Sequence, residues 1–420
     1  MLHLIDLPFW LTELGLQTVA ITLPSLSTEF GVSETNVRFT TLSLFLGLCI
    51  GALGWGITAD IVGRRPAFNL TLLGTGIFGV AVGAAPSWIG ACGLYSALGC
   101  FIGGNLPVDG ALFLEFLPFS SGNLLTFLSI FWPVGQLYSS LVGWAFLTRY
   151  PDNQGWRYLN YTMGATTLGM FLCRFLLFHL FESPKFLLSK GRQQDAVLVV
   201  RAIAYHNKKQ TWISEEILNE IGGTPEDIAD QGISNKEILK RTITKFSGKR
   251  FKPLFAYKKL AINTLLLWTI WACIGMAYPL FNAFIVQYIQ QADPSQQTSD
   301  YITYRNYAIQ SVIGCVGSPI AAYTVNIKHF GRRGTMGLSL LLTGIFLFLF
   351  TISPDSSFQL GMNCMVSFFQ NAAYGVLYAY SPETFPAPNR STGTGISSGL
   401  NRLAGLVCTA SFLCPLLLTK

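Results

Sequence analysis

Charge is scarce in this chain. Asp, Glu, Lys and Arg make up 12% of its 420 residues, against 51% hydrophobic residues and a mean hydropathy of +0.44. A soluble domain carries about 25% charged residues, so the deficit and the long apolar runs exclude an ordinary soluble enzyme. Histidine numbers only four, and no HExxH or Ser/His/Asp arrangement occurs, so nothing points to catalysis or to a bound metal or other cofactor. No Gly-rich loop ending in Gly-Lys-Ser/Thr is present, which argues against ATP-driven work. The nine cysteines lie in apolar segments without a CxxC pair; they read as small core residues rather than a metal site or a disulfide framework.

What is present points to lipid. The 41 Gly and 19 Pro accompany 32 Phe and 16 Tyr, and Gly and Pro are commoner in membrane helices than in soluble ones. A helix needs about 20 apolar residues to cross the hydrocarbon core. Stretches of that kind fall near 5–25, 38–58, 68–86, 89–113, 123–147, 158–181, 259–289, 304–326, 335–352, 357–380 and 394–417, eleven in all. The first lacks a basic leader and holds Asp6 and Glu13, so it reads as a true span rather than a signal peptide. The expectation is an all-α polytopic membrane protein, with a first bundle over 1–182, a linker with short helices over 183–257 and a second bundle over 258–420.

The net charge of +7 follows from topology. With the N-terminus cytoplasmic, 21 of the 28 Lys and Arg fall in inside loops and five outside, with Arg174 and Arg402 within spans. That imbalance obeys the positive-inside rule and leaves no nucleic-acid face. Helical patterns over 193–206 and 213–221 occupy the linker, which reads as solvated and facing anionic lipid.

Two motifs repeat in the halves. Gly56-Ile-Thr-Ala-Asp60-Ile-Val-Gly63-Arg64-Arg65-Pro66 follows the second stretch, and Lys328-His-Phe-Gly331-Arg332-Arg333-Gly334 follows the eighth. Glycine permits a tight turn, and paired Arg can bind carboxylates. Acids close the fourth, sixth and tenth stretches: Glu115 before Pro118, Glu182 before Pro184, and Glu383 before Pro386 and Arg390. A carboxylate at a helix C-terminus is unfavourable unless paired, so the arginines of the two loops are its expected partners, in ion-pair latches that close one side.

Charges within spans are functional candidates by default. Glu13 and Asp109 suit proton exchange or substrate binding. Arg402 lies about 12 Å along its helix from Thr394; it reads as a cavity-facing contact or as a structural partner of Glu383 or another acid of the second bundle. Arg174 reads as a partner of Glu182. Tyr278 and Asn282, and Tyr374 and Tyr378, are i, i+4 pairs on single faces, with Asn371 beside the second.

The paired GRR loops, Glu182-Ser-Pro-Lys-Phe-Leu-Leu-Ser-Lys-Gly-Arg192 and Pro382-Glu-Thr-Phe-Pro386 with Arg390 together resemble the major facilitator superfamily over nearly the whole chain. The resemblance is to its sugar-porter and organic-ion-transporter side. Gly103-Gly-Asn-Leu-Pro-Val-Asp-Gly-Ala-Leu-Phe-Leu-Glu-Phe-Leu-Pro118 and Ala277-Tyr-Pro-Leu-Phe-Asn282 are similar to fungal members related to the synaptic vesicle two-related proteins. The resemblance implies two pseudo-symmetric bundles, a central site lined by the first, fourth, seventh and tenth spans, and alternating access. It implies a monomeric secondary transporter of a small organic solute, an organic anion or a sugar-like compound, driven by a proton gradient or by the solute's own gradient, with no cofactor, in a plasma or intracellular membrane. The chain departs from that pattern in showing eleven of the usual twelve spans and in having Lys328 where the first loop has Asp60. The rival expectation is a non-transporting sensor or a truncated, inactive relative.

Overall fold

The structure, a computed structural model, describes residues 7–116, 123–150, 154–177, 181–189, 191–222, 252–292, 300–328, 330–353, 355–385 and 390–418. Among these residues the regular elements are all helical. They are α1 (Leu7–Phe30), α2 (Glu34–Val37), α3 (Phe39–Val62), α4 (Arg64–Gly83), α5 (Trp88–Phe116), α6 (Asn123–Leu128), α7 (Phe131–Arg149) and α8 (Gly155–Leu177). There follow α9 (Pro184–Ser189), α10 (Gln193–His206) and α11 (Glu215–Gly222), then a 3-10 turn at Lys252–Phe255. The chain continues through α12 (Lys258–Ala292), α13 (Asp300–Thr324), α14 (Gly331–Phe350), α15 (Ser356–Thr384) and α16 (Arg390–Leu418).

The long helices fall on the eleven apolar stretches, with one departure. The stretch 123–147 divides into α6 and α7. Pro133 has no N–H to give Ser129. The Ser129 carbonyl instead accepts from Trp132 N–H at 3.2 Å, while Ser129 and Ile130 turn back on Thr126 and Phe127.

Packing in the first half depends on glycine. Gly47 and Gly51 of α3 face Gly99 and Gly103 of α5, a small-xxx-small pairing that lets backbones approach closely. A Cβ on Gly103 would stand 2.3 Å from the Leu48 carbonyl oxygen, and one on Gly47 would stand 1.9 Å from that of Ser96. Helix α4 lies against α8 and α5, and α1 against α5 and α7. In the second half α12 lies on α16, and α15 on both α13 and α14. The two halves meet where α7 packs on α13, α3 on α16, α1 on α12, and α6 on α13 and α15.

The core is apolar, but many large apolar residues are also exposed and polar residues lie buried among the helices. Buried positions include Gln310, Ser311 and Ser318 of α13 and Gln359, Asn363, Ser367 and Ser381 of α15, while Leu53, Phe175, Leu341 and Phe348 are exposed. Ser311 and Ser381 bond to carbonyls of their own helices and Asn363 reaches across to Gln310, while the outward apolar faces suit lipid. The stretches Glu34–Trp55, Arg64–Gly83, Lys258–Ala277 and Gly331–Phe350 are long and apolar enough to cross a membrane on composition alone, with mean hydropathy of 1.4 to 1.7. The cysteines depart from the sequence expectation. None of the eight described is fully buried, and Cys173 and Cys273 are exposed, because an apolar helix face needs no protein cover in lipid.

Candidate functional site

The ends of α8 and α15, the start of α12 and both GRR loops share one side of the molecule, the linker end. Gly63 links α3 to α4 at φ +118°, and Gly331 opens α14 at φ +57°, backbone regions that favour glycine. The sequence pairs Glu182 with the arginine side chains; the structure gives its carboxylate another task. Glu182 Oε1 accepts from the backbone N–H of Arg64 at 3.0 Å and of Ser183 at 3.0 Å, and Oε2 accepts from Arg65 N–H at 3.3 Å. The carboxylate thus caps α4, where N–H groups have no helical partner and the dipole is positive. A Cβ on Gly63 would stand 2.7 Å from Glu182 Oε2. The Arg64 guanidinium lies over the Phe186 ring at 5.8 Å. Arg174 is not placed on Glu182 either: its guanidinium covers the Phe68 ring at 3.2 Å.

In the second half an ion pair does form. Arg332 Nη2 meets Glu383 Oε1 at 2.7 Å, and Arg333 Nε donates to Tyr380 Oη at 3.2 Å. Helix α15 therefore supplies the acid that the second loop itself lacks. Both contacts, Glu182 with α4 and Glu383 with α14, lie within one half, so these groups staple helices inside each bundle.

At the opposite end a cluster without a sequence motif ties α1, α4 and α8. Arg157 Nη2 meets Glu29 Oε1 at 2.6 Å, Arg157 Nη1 donates to the Gly83 and Ala85 carbonyls at 3.0 and 2.9 Å, and Trp156 Nε1 donates to Glu29 Oε2.

Three sets of contacts join the bundles. Toward the linker end, Trp132 of α7 stands edge-on to Tyr378 and Tyr374 of α15, with centroids 4.6 and 5.8 Å apart. Trp271 of α12 backs Tyr378 at 4.8 Å and donates to Ser381 Oγ at 2.9 Å. Asn371 belongs to this group: its amide donates to Ser367 O at 2.9 Å, and a Cβ on Gly314 of α13 would stand 2.8 Å from its Nδ2. Toward the opposite end, Tyr307 of α13 bonds to the side chain of Gln17 of α1, and Tyr304 Oη donates to Ile21 O at 3.5 Å.

Between these levels sits Arg402. It is 9% exposed on α16, which lies against α3, and its charge acts on Cys49 of α3. Leu406, one turn on, packs into the core of the first half. Glu383, the structural partner expected for Arg402, holds Arg332 at the far end of α15. Among the described side chains no carboxylate forms an ion pair with Arg402.

The side chains of Glu13, Asp60, Asp109, Glu115, Tyr278, Asn282 and Arg390 lie outside the described ones; their backbone positions fall on α1, α3, α5, α12 and α16. Register nevertheless relates α1 to α5. Thr22 Oγ1 meets Tyr95 Oη at 3.2 Å, and a Cβ on Gly15 would stand 2.3 Å from Ile102 Cδ1. Continuing that antiparallel pairing sets Glu13 level with Gly104, one residue before Asn105. Asn105 is 1% exposed, and neither polar atom of its amide has a partner among the described residues. Gln17, Trp132 and Tyr307 carry no charge and no motif in the sequence, and Asn105 lies in the run 103–118 without being singled out there. The one available hint is that Gln17 stands i, i+4 from Glu13.

Two helical bundles with apolar residues turned outward as well as packed inside touch toward both ends, and a buried arginine lies where α16 meets α3: this is the build of a multi-pass membrane transporter. The sequence profile of the Major Facilitator Superfamily matches residues 9–407, and the chain belongs to that superfamily. It is a secondary transporter, not an enzyme. It is 41% identical over 400 residues to an uncharacterized MFS-type transporter of Schizosaccharomyces pombe, covering 89% of this chain and 71% of that one. It is 40% identical over 389 residues to MFS siderochrome iron transporter 1 of Ceriporiopsis subvermispora, covering 89% and 74%. The synaptic vesicle 2-related protein of Xenopus laevis matches at 23% identity over 95% of this chain and 70% of that one. Among solved structures, the proton:xylose symporter XylE bound to 6-bromo-6-deoxy-D-glucose superposes with a TM-score of 0.71, at 20% identity, over 98% of this chain and 88% of that one. At that identity the likeness speaks for the fold.

Proposed function

We propose that the solute is a small organic anion and that Arg402 receives its charge. The observation that carries this is the burial of Arg402 midway along α16, at the junction with α3, with no described carboxylate paired to it. A guanidinium so placed is costly within a membrane unless it meets an acid, a water-filled cavity or a substrate. It offers planar, bidentate geometry to a carboxylate. Asn371, Tyr374 and the bridging Trp132 supply amide and ring surface for the rest of the solute, with Tyr278 and Asn282 of α12 completing that wall. Glu13 and Asp109 are the proton-exchanging groups in this reading, one on each of two helices held in register.

The same reading takes the linker end as cytoplasmic, from the distribution of Lys and Arg, with the N-terminus inside and the protein acting as a monomer. It takes 1–182, 183–257 and 258–420 as the working divisions, and Arg64, Arg65, Arg332 and Arg333 with Glu115, Glu182, Glu383, Asp60 and Arg390 as the parts that firm that end during alternation. The sequence runs similar to the synaptic vesicle 2-related proteins support placement on the organic-ion side of the superfamily.

The test is uptake by the purified chain in proteoliposomes, with and without a pH gradient, of a monocarboxylate such as benzoate, a hexose and a quaternary ammonium ion. Monocarboxylate uptake is expected, and Arg402→Ala is expected to abolish it while Arg402→Lys retains a fraction. Benzoate uptake unchanged in Arg402→Ala, or uptake of the hexose alone, overturns the assignment.

A further inference from the structure

The linker carries an exposed surface that the transport pathway does not use. Helix α10 buries one face: Gln193, Ala196 and Val197 are covered, and α10 packs on α9. Its other face holds Leu198 at 61% exposure and Tyr205 at 82%, with Trp212 at 79% just beyond the helix. Arg201, Lys208 and Lys209 interleave with them and are exposed. Leu198, Arg201 and Tyr205 advance three or four residues at a time along α10, so they share one stripe of the helix, and the exposed Lys208, Lys209 and Trp212 continue it in the chain just beyond the helix end.

Two further observations place and qualify this stripe. His206 contacts Phe181, just past the end of α8, with ring centroids 6.3 Å apart, so the end of α10 sits where the chain leaves the membrane. Lys208 adopts φ +53°, the only non-glycine residue with positive φ among the described residues. It closes the helix: Lys209 N–H returns to Ala204 O at 2.9 Å and Lys208 N–H to Tyr205 O at 3.0 Å. Glycine is the residue that occupies this turn without strain, and a lysine held there is a feature strain alone does not explain.

We propose that this stripe is a docking site for anionic phospholipid of the bilayer the protein spans. Arg201, Lys208 and Lys209 meet the headgroup phosphates, and Tyr205 and Trp212 sit at the headgroup level. Tyr and Trp concentrate at that depth because one end of each ring system is apolar and the other polar. Charge complementarity selects lipid over the chain's own basic stretch at 236–252, which these cations would repel. The effect is to hold the linker against the membrane beside α8, rather than free in the aqueous phase.

The full chain would be reconstituted in mixed phosphatidylcholine–phosphatidylserine vesicles of fixed composition, with bromine on the acyl chains of one lipid or the other. Trp212 fluorescence is read as the difference between wild type and Trp212→Phe. Bromine on phosphatidylserine is expected to quench Trp212 several-fold more than bromine on phosphatidylcholine. Each of Arg201→Gln, Lys208→Gln and Lys209→Gln is expected to lower that preference, and the three together to bring quenching by the two lipids level, since each surface Lys or Arg contributes near an anionic leaflet. Lys208→Gly separates this role from folding: it relieves the backbone, so its thermal midpoint holds or rises while the preference still falls. Equal quenching by the two lipids overturns the headgroup assignment. No quenching by either places Trp212 in water or beneath other parts of the chain, and overturns the site altogether.

Discussion

Removing the Glu182 carboxylate distinguishes a helix cap from an ion-pair latch. In the structure it caps α4, accepting from the N–H groups of Arg64 and Arg65 as well as Ser183. Loss of a good N-cap costs about 1 kcal/mol. A negative charge in a partly buried position at a helix N-terminus adds up to about 1 kcal/mol more. Glu182→Ala should therefore destabilise the protein by about 2 kcal/mol, and Glu182→Gln, which keeps an acceptor but not the charge, by about half as much. The decisive quantity is the coupling with Arg64. If the carboxylate served the guanidinium, Glu182→Ala would cost little once Arg64→Ala had been made. If it serves backbone N–H groups, which Arg64→Ala leaves in place, the two losses add to within about 0.5 kcal/mol. Reversible unfolding of the purified protein in mixed micelles titrated with sodium dodecyl sulfate measures all four members of the cycle. A coupling above about 1 kcal/mol would refute the capping argument.

Tyr307→Phe removes the hydroxyl that crosses from α13 to Gln17 of α1. One such hydrogen bond contributes about 1 kcal/mol, so the population open at that end should rise roughly fivefold, read as faster labelling of a cysteine introduced beside Tyr304; an unchanged rate counts against that contact as a gate. Gly103→Ala places a Cβ 2.3 Å from the Leu48 carbonyl oxygen. It should force α3 and α5 apart, at a cost above about 2 kcal/mol, seen as lost monodisperse protein in gel filtration; a well-behaved variant would mean the helices are not held that closely.

Arg332 and Glu383 show how far linear pattern reaches. Each is conspicuous in the sequence because a charge beside an apolar run has few places to go, and the structure joins them at 2.7 Å. Glu182 was equally conspicuous, yet its partner was not legible: backbone N–H groups at a helix start are anonymous in sequence, and only the fold-back of α9 brings the carboxylate to α4. Trp132 gave still less signal. An aromatic residue in an apolar run has no marked periodicity, and its contact with Tyr374 and Tyr378 depends on how α7 of one bundle meets α15 of the other.

Hydropathy runs of about 20 residues, the paired GRR loops and the uneven Lys and Arg counts are local quantities, so they are legible in the sequence alone as a helical membrane protein with a repeated loop motif, the break between α6 and α7 excepted. Which groups meet across the halves is a matter of helix rotation and tilt, quantities set by packing such as Gly103 against Leu48 and carried by no single segment. Only the tertiary structure therefore decided that Arg402 lies buried against α3, that Gln17 bonds to Tyr307, and that the amide of Asn105 stands without a described partner one residue beyond the level of Glu13.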